Sequence, residues 1–410
     1  MSNTAHLHHL ALIPRDGFFC KDGRGWHTSA SGRGHSLDWP WPSTIRGALT
    51  TASGRMIEVA DNRQFQRKDW LTHHQQVTLK RLLTLRRALS RDDVEAWSAD
   101  DRVWPVPADA LWLEGREKVF RLLPSEPKTS TLGRKVGSDY DIAREKLWVP
   151  QNLDDNSKPR TAPRWLSELE FVSWLTGGGI SADPDSNPAE TGLSPAKRVQ
   201  AHVGINPGTL TAEESILFAH DVIETLESQH EWAIGSEVNW PISATPNISR
   251  VGSDGRIAFL EKLSADLFAI PGDLEKAFTN GSKGLRLIVA TPTLFKHGWL
   301  PDGFEAENGE FRGNLDNNGP ELILRAAFVP RPLHISGWDM TGGPDEKGGP
   351  KPTARLVPPG AVYFFERADS QNFGQDILAS LWLKALGQRV DDGFGQVVPG
   401  LWEPAKENEK

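Results

Sequence analysis

Cysteine is all but missing from this 410-residue chain. Cys20 stands alone, so no internal disulfide can form, and a reducing cytoplasm is the expected home. Long apolar runs are missing too. No stretch approaches the roughly 18 uninterrupted apolar residues of a membrane helix, and the mean hydropathy of −0.45 suits a soluble globular protein. The opening residues 1–10 are polar and His-rich, without the charged-then-apolar layout of a signal peptide. Positive charge is not in excess: 46 Lys and Arg face 54 Asp and Glu, a net charge of −8. That counts against a free nucleic-acid binder, whose domain is usually basic. It leaves room for a local positive strip, with an acidic remainder turned toward protein partners. Tyrosine is scarce, 2 residues against 16 Trp. The indoles read either as base-stacking surfaces or as partly buried core.

The length allows two domains, each with its own core, and 38 Gly with 29 Pro imply many loops. Residues 6–13 (HLHHLALI) roughly alternate and predict a first strand. A Gly-rich loop follows over 14–41. Pro42-Ser43-Thr44 then opens a helix in which Ser43 or Thr44 caps the free N–H groups, and Ile45, Ala48, Leu49 and Ala52 follow at helical spacing. Residues 78–89 (TLKRLLTLRRAL) predict another helix, with Leu79, Leu82, Leu83 and Leu85 opposite a basic face. Residues 110–123 suggest a hairpin, and 124–163 a loop or insertion. Residues 165–175 predict a helix stopped by Gly177-Gly178-Gly179. In the strand-rich second half, 284–291, 322–329 and 360–365 predict strands and 373–386 an apolar helix. The two halves echo each other loosely as α+β rather than as regular βαβ units, with domains expected over 1–200 and 201–410.

Two basic Gly-rich segments are the candidate anion sites. The first, Arg15-Asp16-Gly17 with Lys21-Asp22-Gly23-Arg24, lies beside a helix start, where backbone N–H groups and arginine forks suit phosphate. A solvated surface loop with ordinary turn glycines fits the same residues. The second holds Arg331, His334, Trp338, Gly342-Gly343, Lys347, Gly348-Gly349, Lys351 and Arg355 in an expected loop between two strands. Cations interleaved with an aromatic suit single-stranded nucleic acid, although a disordered linker shares the composition.

The remaining chemistry is sparse. His6, His8, His9 and the pair His73-His74 lack zinc spacing, and Cys20 has no thiolate companion, so no metal and no cofactor is expected. His27 and His35 in the basic loop suit acid–base cleavage of RNA. Gly177 to Gly179 lack the lysine and Ser/Thr of a phosphate-binding P-loop. Residues 211–214 (TAEE) fit a capping box before an apolar run, a helical signal. Asp391-Asp392 reads as a solvated turn.

Taken in order, several segments resemble a known family. Arg15-Asp16-Gly17-Phe18-Phe19 is similar to the opening of a RAMP protein, and Trp41-Pro42-Ser43-Thr44-Ile45-Arg46-Gly47-Ala48-Leu49 to its "P-S-T-x-x-G-A-L" helix start. Then come His202 to Ile205, 209–218 (TLTAEESILF), Gly255-Arg256, Thr291-Pro292 and Gly298-Trp299. Ile335-Ser336-Gly337-Trp338-Asp339, 357–365 (VPPGAVYFF), Gly393-Phe394-Gly395-Gln396 and Gly400-Leu401-Trp402 complete the series. This order resembles the third subunit of the Cmr complex, the type III-B CRISPR effector. The resemblance implies two ferredoxin-like (RRM-related) RAMP domains with long loop insertions. It implies a non-catalytic subunit that binds the 5′ handle of crRNA and docks the large polymerase-like subunit onto the backbone RAMP subunits, in antiviral defence.

Arg15, Lys21, Arg24, Ser43, Thr44, Arg46, Arg331, Trp338, Lys351 and Arg355 are the RNA-binding residues expected on that basis. The loop Gly393 to Gln396 would touch RNA through backbone N–H groups, because its one nearby base, Arg389, is followed by Asp391 and Asp392. The TAEE stretch would be a strand in the family fold. The alternatives are a RAMP endoribonuclease processing precursor crRNA with His27 or His35 as general base, or the equivalent handle-binding subunit of another CRISPR type. A Trp-rich protein-interaction module, without RNA affinity, is the reading from a different class.

Overall fold

The computed structural model describes residues 5–21, 33–89, 96–127, 139–151, 156–188, 193–252, 255–316, 319–339 and 348–404. Within these residues, two large antiparallel sheets carry helices on their faces, an α+β arrangement.

The first sheet runs in the order Ile248–Val251, Arg256–Lys262, His6–Pro14, His230–Trp240, Thr78–Ala88, Arg102–Pro105 and Trp165–Ser167. Alternation along His6–Pro14 sends Leu10 and Leu12 to one face and Ala11 and Ile13 to the other, and both faces are buried. The helix Pro42–Ala60 covers the first face with Ile45, Ala48, Leu49 and Ala52, at the spacing the sequence displays.

The expected helix over 78–89 is instead the strand Thr78–Ala88. Its register against His230–Trp240 steps from Arg81↔Glu237 to Leu79↔Val238 and leaves Lys80 without a partner residue, a β-bulge. The extra residue breaks the period of two. Leu79 and Leu82 join the core under the long helix, while Leu83 and Leu85 join the opposite core. A bulged strand buried on both faces therefore imitates helical spacing.

The second sheet runs Phe304–Glu307, Glu310–Gly313, Leu322–Phe328, Val362–Arg367, Gly284–Val289 and Val397–Trp402. The three strands expected in this half are present. The expected hairpin over 110–123 is a short ladder of Ala110–Leu111 on Phe120–Arg121. The helix expected over 165–175 begins as a strand and becomes helical only at Glu168. There Ser167 accepts from the Glu170 N–H, and the Glu170 carboxylate accepts from the Ser167 N–H. The apolar helix expected over 373–386 is confined to Gln375–Leu381, since Leu383 takes a positive φ of 55°.

The two sheets share one core, in which Trp104 stacks on Phe171 at 4.9 Å between ring centres. Deep in it Arg286 and Asp109, both side chains fully buried, pair at 2.7 Å. The indole N–H of Trp174 donates to the other oxygen of Asp109 at 2.9 Å. A third, smaller sheet pairs Ala196–Ile205 with Ala212–Glu224. The TAEE residues Ala212, Glu213 and Glu214 lie in its second strand, so long-range pairing overrides their local helical signal. Residue 200 lies inside Ala196–Ile205, and the first sheet takes strands from both sides of it. No helix among the described residues is long and apolar enough to cross a membrane.

Candidate nucleic-acid interface

The helix start expected to cradle phosphate is built differently from its sequence reading. Pro42 is the first helical residue and Trp41 the N-cap, with no side-chain cap. Ser43 and Thr44 lie half-buried inside the first turn, and the Thr44 N–H donates to the Trp41 carbonyl at 2.9 Å. Proline at the first position, with its fixed φ and absent N–H, starts the helix without a hydroxyl cap.

Arg46 also departs from expectation. Its guanidinium is buried and donates to the carbonyls of Val77 (2.8 Å) and His74 (2.7 Å) and to the Asp392 carboxylate. It is a strut, not an exposed phosphate ligand. Burial disfavours the charge on Asp392 most strongly, yet hydrogen bonds and charge from Arg46 and Arg389 outweigh it and hold the carboxyl below its ordinary value. The Asp392 turn is thus an internal anchor. Three of the next four N–H groups are engaged as well. The N–H groups of Gly393, Gly395 and Gln396 donate to Val390 O, Pro292 O and Thr291 Oγ1, at 3.0, 3.0 and 2.9 Å. Gly395 has φ 86°, and a Cβ there would lie 2.0 Å from the Leu386 carbonyl oxygen, so glycine serves packing.

The second basic segment is not a loop between strands but a two-stranded ribbon, Leu333–Asp339 paired with Gly349–Leu356. Ile335 and Leu356 pin its foot in one small core with Trp41 and Phe394. At the foot itself His334 and Arg355 are exposed, further along Lys351 is exposed, and so is Arg331 just before the ribbon. Trp338 is 56% exposed, unlike most of the chain's indoles. His334 sits opposite Arg355 and Gly337 opposite Lys351. Residues 340–347, with Gly342, Gly343 and Lys347, lie outside the described residues, as do Arg24 and His27.

Arg15 belongs to another place on the first sheet. Its guanidinium lies 3.5 Å from the buried Glu231 carboxylate and 5.3 Å from the centre of the Phe259 ring. Lys21 is half-buried and bridges to Ser36. His35 places Nδ1 3.1 Å from Asp221 with half its side chain exposed.

Between the sheets opens a cavity of about 760 Å³, which sequence reasoning missed. The run Asp38-Trp39-Pro40-Trp41-Pro42 supplies one wall, and Trp104, Trp165, Pro292, Leu333 and Pro358 others. At its lining Asp38 pairs with both Arg164 and Lys197, two cations on one carboxylate. The sequence reading places Trp39 to Trp41 at the end of the 14–41 loop and Pro42 at the start of a helix, without marking a cavity.

The family model for the CRISPR-associated protein (Cas_Cmr3) matches residues 10–402. The chain belongs to this family. The Cas_Cmr3 match runs from inside the first strand to the end of the last, so both sheets, the ribbon and the cavity fall within it. Among solved structures, the chain is similar to one in a cryo-EM structure of the type III-B Cmr-beta complex bound to cognate target RNA and AMPPnP. The identity is 12% and the TM-score 0.39, over 87% of this chain and 86% of that one. A second, from Cmr-beta bound to cognate target RNA, gives 11% and 0.36 over the same shares. No curated protein matches the chain.

Proposed function

We propose that this Cas_Cmr3 chain is a non-catalytic, RNA-binding subunit of a type III-B CRISPR ribonucleoprotein. In this reading it holds the repeat-derived 5′ handle of crRNA and joins the large polymerase-like subunit to the RAMP backbone. The two helix-covered sheets are then two ferredoxin-like RAMP domains. One observation carries the reading: family-like stretches from distant parts of the chain line a single cavity. Trp41-Pro42, Thr291-Pro292 and Pro358-Pro359 all contribute, with Leu333 at the ribbon's foot. Beside it the ribbon exposes Trp338, Lys351 and Arg355, an indole and two cations of the kind that take single-stranded RNA by stacking and phosphate contact. Target sequence is left to guide pairing, and the protein holds backbone and handle shape.

The test is binding and cleavage of labelled crRNA bearing a repeat-derived 5′ handle, alone and with the large subunit, across a salt series. Handle-dependent, salt-sensitive binding without cleavage is expected. Absence of binding even with the partner would remove the RNA reading.

A second reading keeps one supporting contact. His35, held by the Asp221 carboxylate, has the arrangement of an oriented general base. An endoribonuclease of this superfamily would cut repeat RNA without metal and lose that activity in His35→Ala.

A further inference from the structure

We infer that Phe394 is the positioning residue of the ribbon: its ring sets the angle at which Trp338, Lys351 and Arg355 are presented to RNA. This rests on the RNA-binding function proposed above. A two-stranded pair by itself is marginal in water, so the ribbon takes its orientation from what it packs on. Within its two strands Ile335 and Leu356 are the buried residues. The register puts them on one face, since Ile335 lies opposite Ala354 and Leu356 opposite Leu333. His334 and Arg355 pair between those positions, so they belong to the other face, and both are exposed. The foot of the ribbon rests on one face and offers charge on the other.

The buried face meets Phe394. This ring is fully buried and joins Ile335, Leu356 and Trp41 in a small core of their own. Its centre lies 6.5 Å from that of Trp41, and the Arg389 guanidinium sits 4.7 Å from it. Arg389 is itself tied to Asp392 at 2.9 Å. The backbone on both sides of the ring is fastened to the segment that follows the strand Gly284–Val289. The Gly393 carbonyl accepts from Thr291 Oγ1 at 3.0 Å, and the Gly395 N–H donates to the Pro292 carbonyl at 3.0 Å. Phe394 therefore ties the ribbon to the second sheet and, through Trp41, to the helix on the first. One other link is close by: the Val357 N–H and carbonyl pair with Thr293 at 2.8 and 2.9 Å, just past the ribbon's second strand. A single backbone bridge acts as a hinge and leaves the ribbon free to swing. The ring under Ile335 and Leu356 fixes the angle.

The experiment uses the full chain, with the large subunit where binding needs it, and labelled crRNA bearing the 5′ handle, with affinity taken per folded molecule. Phe394→Ala should weaken binding about tenfold, the scale of having to order one or two freed side chains on association. The slope of log affinity against log salt should flatten by about 1.4, because the single-strand phosphate contacts of Lys351 and Arg355 are lost together. Lys351→Ala should then cost little more when added to Phe394→Ala. Phe394→Leu, which keeps an apolar wedge, should recover most of the affinity. Hydrogen exchange reads the ribbon without RNA. Amides of Leu333–Asp339 should exchange about tenfold faster in Phe394→Ala, while those of His230–Trp240 keep the parent's rates. If Phe394→Ala does not fold, Ile335→Ala removes the same contact from the ribbon's side and should give the same three changes. Parent-like affinity and slope in Phe394→Ala overturn positioning and leave RNA binding standing. Weakened binding with unchanged ribbon exchange overturns it too, since the ring would then act by another route than the ribbon. If the parent binds no RNA, both readings fall together.

Discussion

Arg46 and Asp392, 346 residues apart in sequence, meet as an ion pair that fastens the start of the long helix to the last glycine-rich loop. Arg46 also satisfies two backbone carbonyls, so its removal leaves two acceptors unmet at once and leaves Asp392 to Arg389 alone, at 2.9 Å. Arg46→Met should cost about 3 kcal/mol, toward the lower end for breaking a buried pair. Urea unfolding checks the loss. RNA affinity per folded molecule should stay within about twofold, because that guanidinium is not at the surface. A large fall in affinity with unchanged stability would return Arg46 to the RNA.

The pair Arg286–Asp109 offers a cleaner test of the shared core, since both side chains are fully buried. Arg286→Met alone leaves the buried Asp109 with the Trp174 N–H as its side-chain hydrogen bond and Arg121 as a more distant countercharge, and should cost about 4 kcal/mol. Adding Asp109→Leu should recover more than half of that, because no lone charge remains. A double variant no more stable than the single would mean that the pair's geometry, rather than its charge balance, holds the sheets together.

The ribbon was visible in the sequence only as composition. Arg331, Trp338, Lys351 and Arg355 suggested a strip for single-stranded RNA, but glycine and proline around them suggested a loop. Pairing between Leu333–Asp339 and Gly349–Leu356 is long-range in character and leaves no strong local pattern. The bulge at Lys80 misled in another way, by turning a strand's alternation into helical spacing. Ser43 and Thr44 have the chemistry of caps, yet Pro42 as the first helical residue puts the N-cap at Trp41, two residues before Ser43 and three before Thr44. By contrast the first strand, the long helix and three of the six strands of the second sheet were legible, the helix from apolar residues at its period and those strands from short apolar runs. The cavity was not legible at all. It is assembled from segments hundreds of residues apart, and no local signal marks it.

Lys351→Ala and Arg355→Ala should each weaken RNA binding with stability changed by less than about 0.5 kcal/mol, as for exposed residues elsewhere. Each should also flatten the salt dependence, by roughly 0.7 in the slope of log affinity against log salt for one single-strand phosphate contact. Trp338→Ala should lower affinity without changing that slope, since stacking releases no counterion. A changed slope for Trp338→Ala, or unchanged slopes for both cations, would remove the ribbon from the interface.

Stability should fall as the pH drops below neutrality, and His73 gives the reason. It is 3% exposed, enclosed by Phe65 and Trp70, with Nε2 2.8 Å from the Ser53 hydroxyl. Burial is the main cause that holds its pKa below 6.5, and neighbouring His74 is lowered by burial and by Arg46. Both rings are therefore held neutral in the folded chain, while the unfolded chain takes up protons through pH 6.5. Stability from these groups is complete above that value and is lost as the pH falls toward their lower folded values. The depressed carboxylate of Asp392 acts in the same direction but at lower pH, since its unfolded value is 3.8. The thermal midpoint should be level from about pH 8 to 7 and decline between about pH 6.5 and 5. His73→Gln, which keeps a polar group near Ser53 without titrating, should make that decline shallower. A wild-type midpoint that does not move across this window would show that neither histidine is kept neutral by the fold.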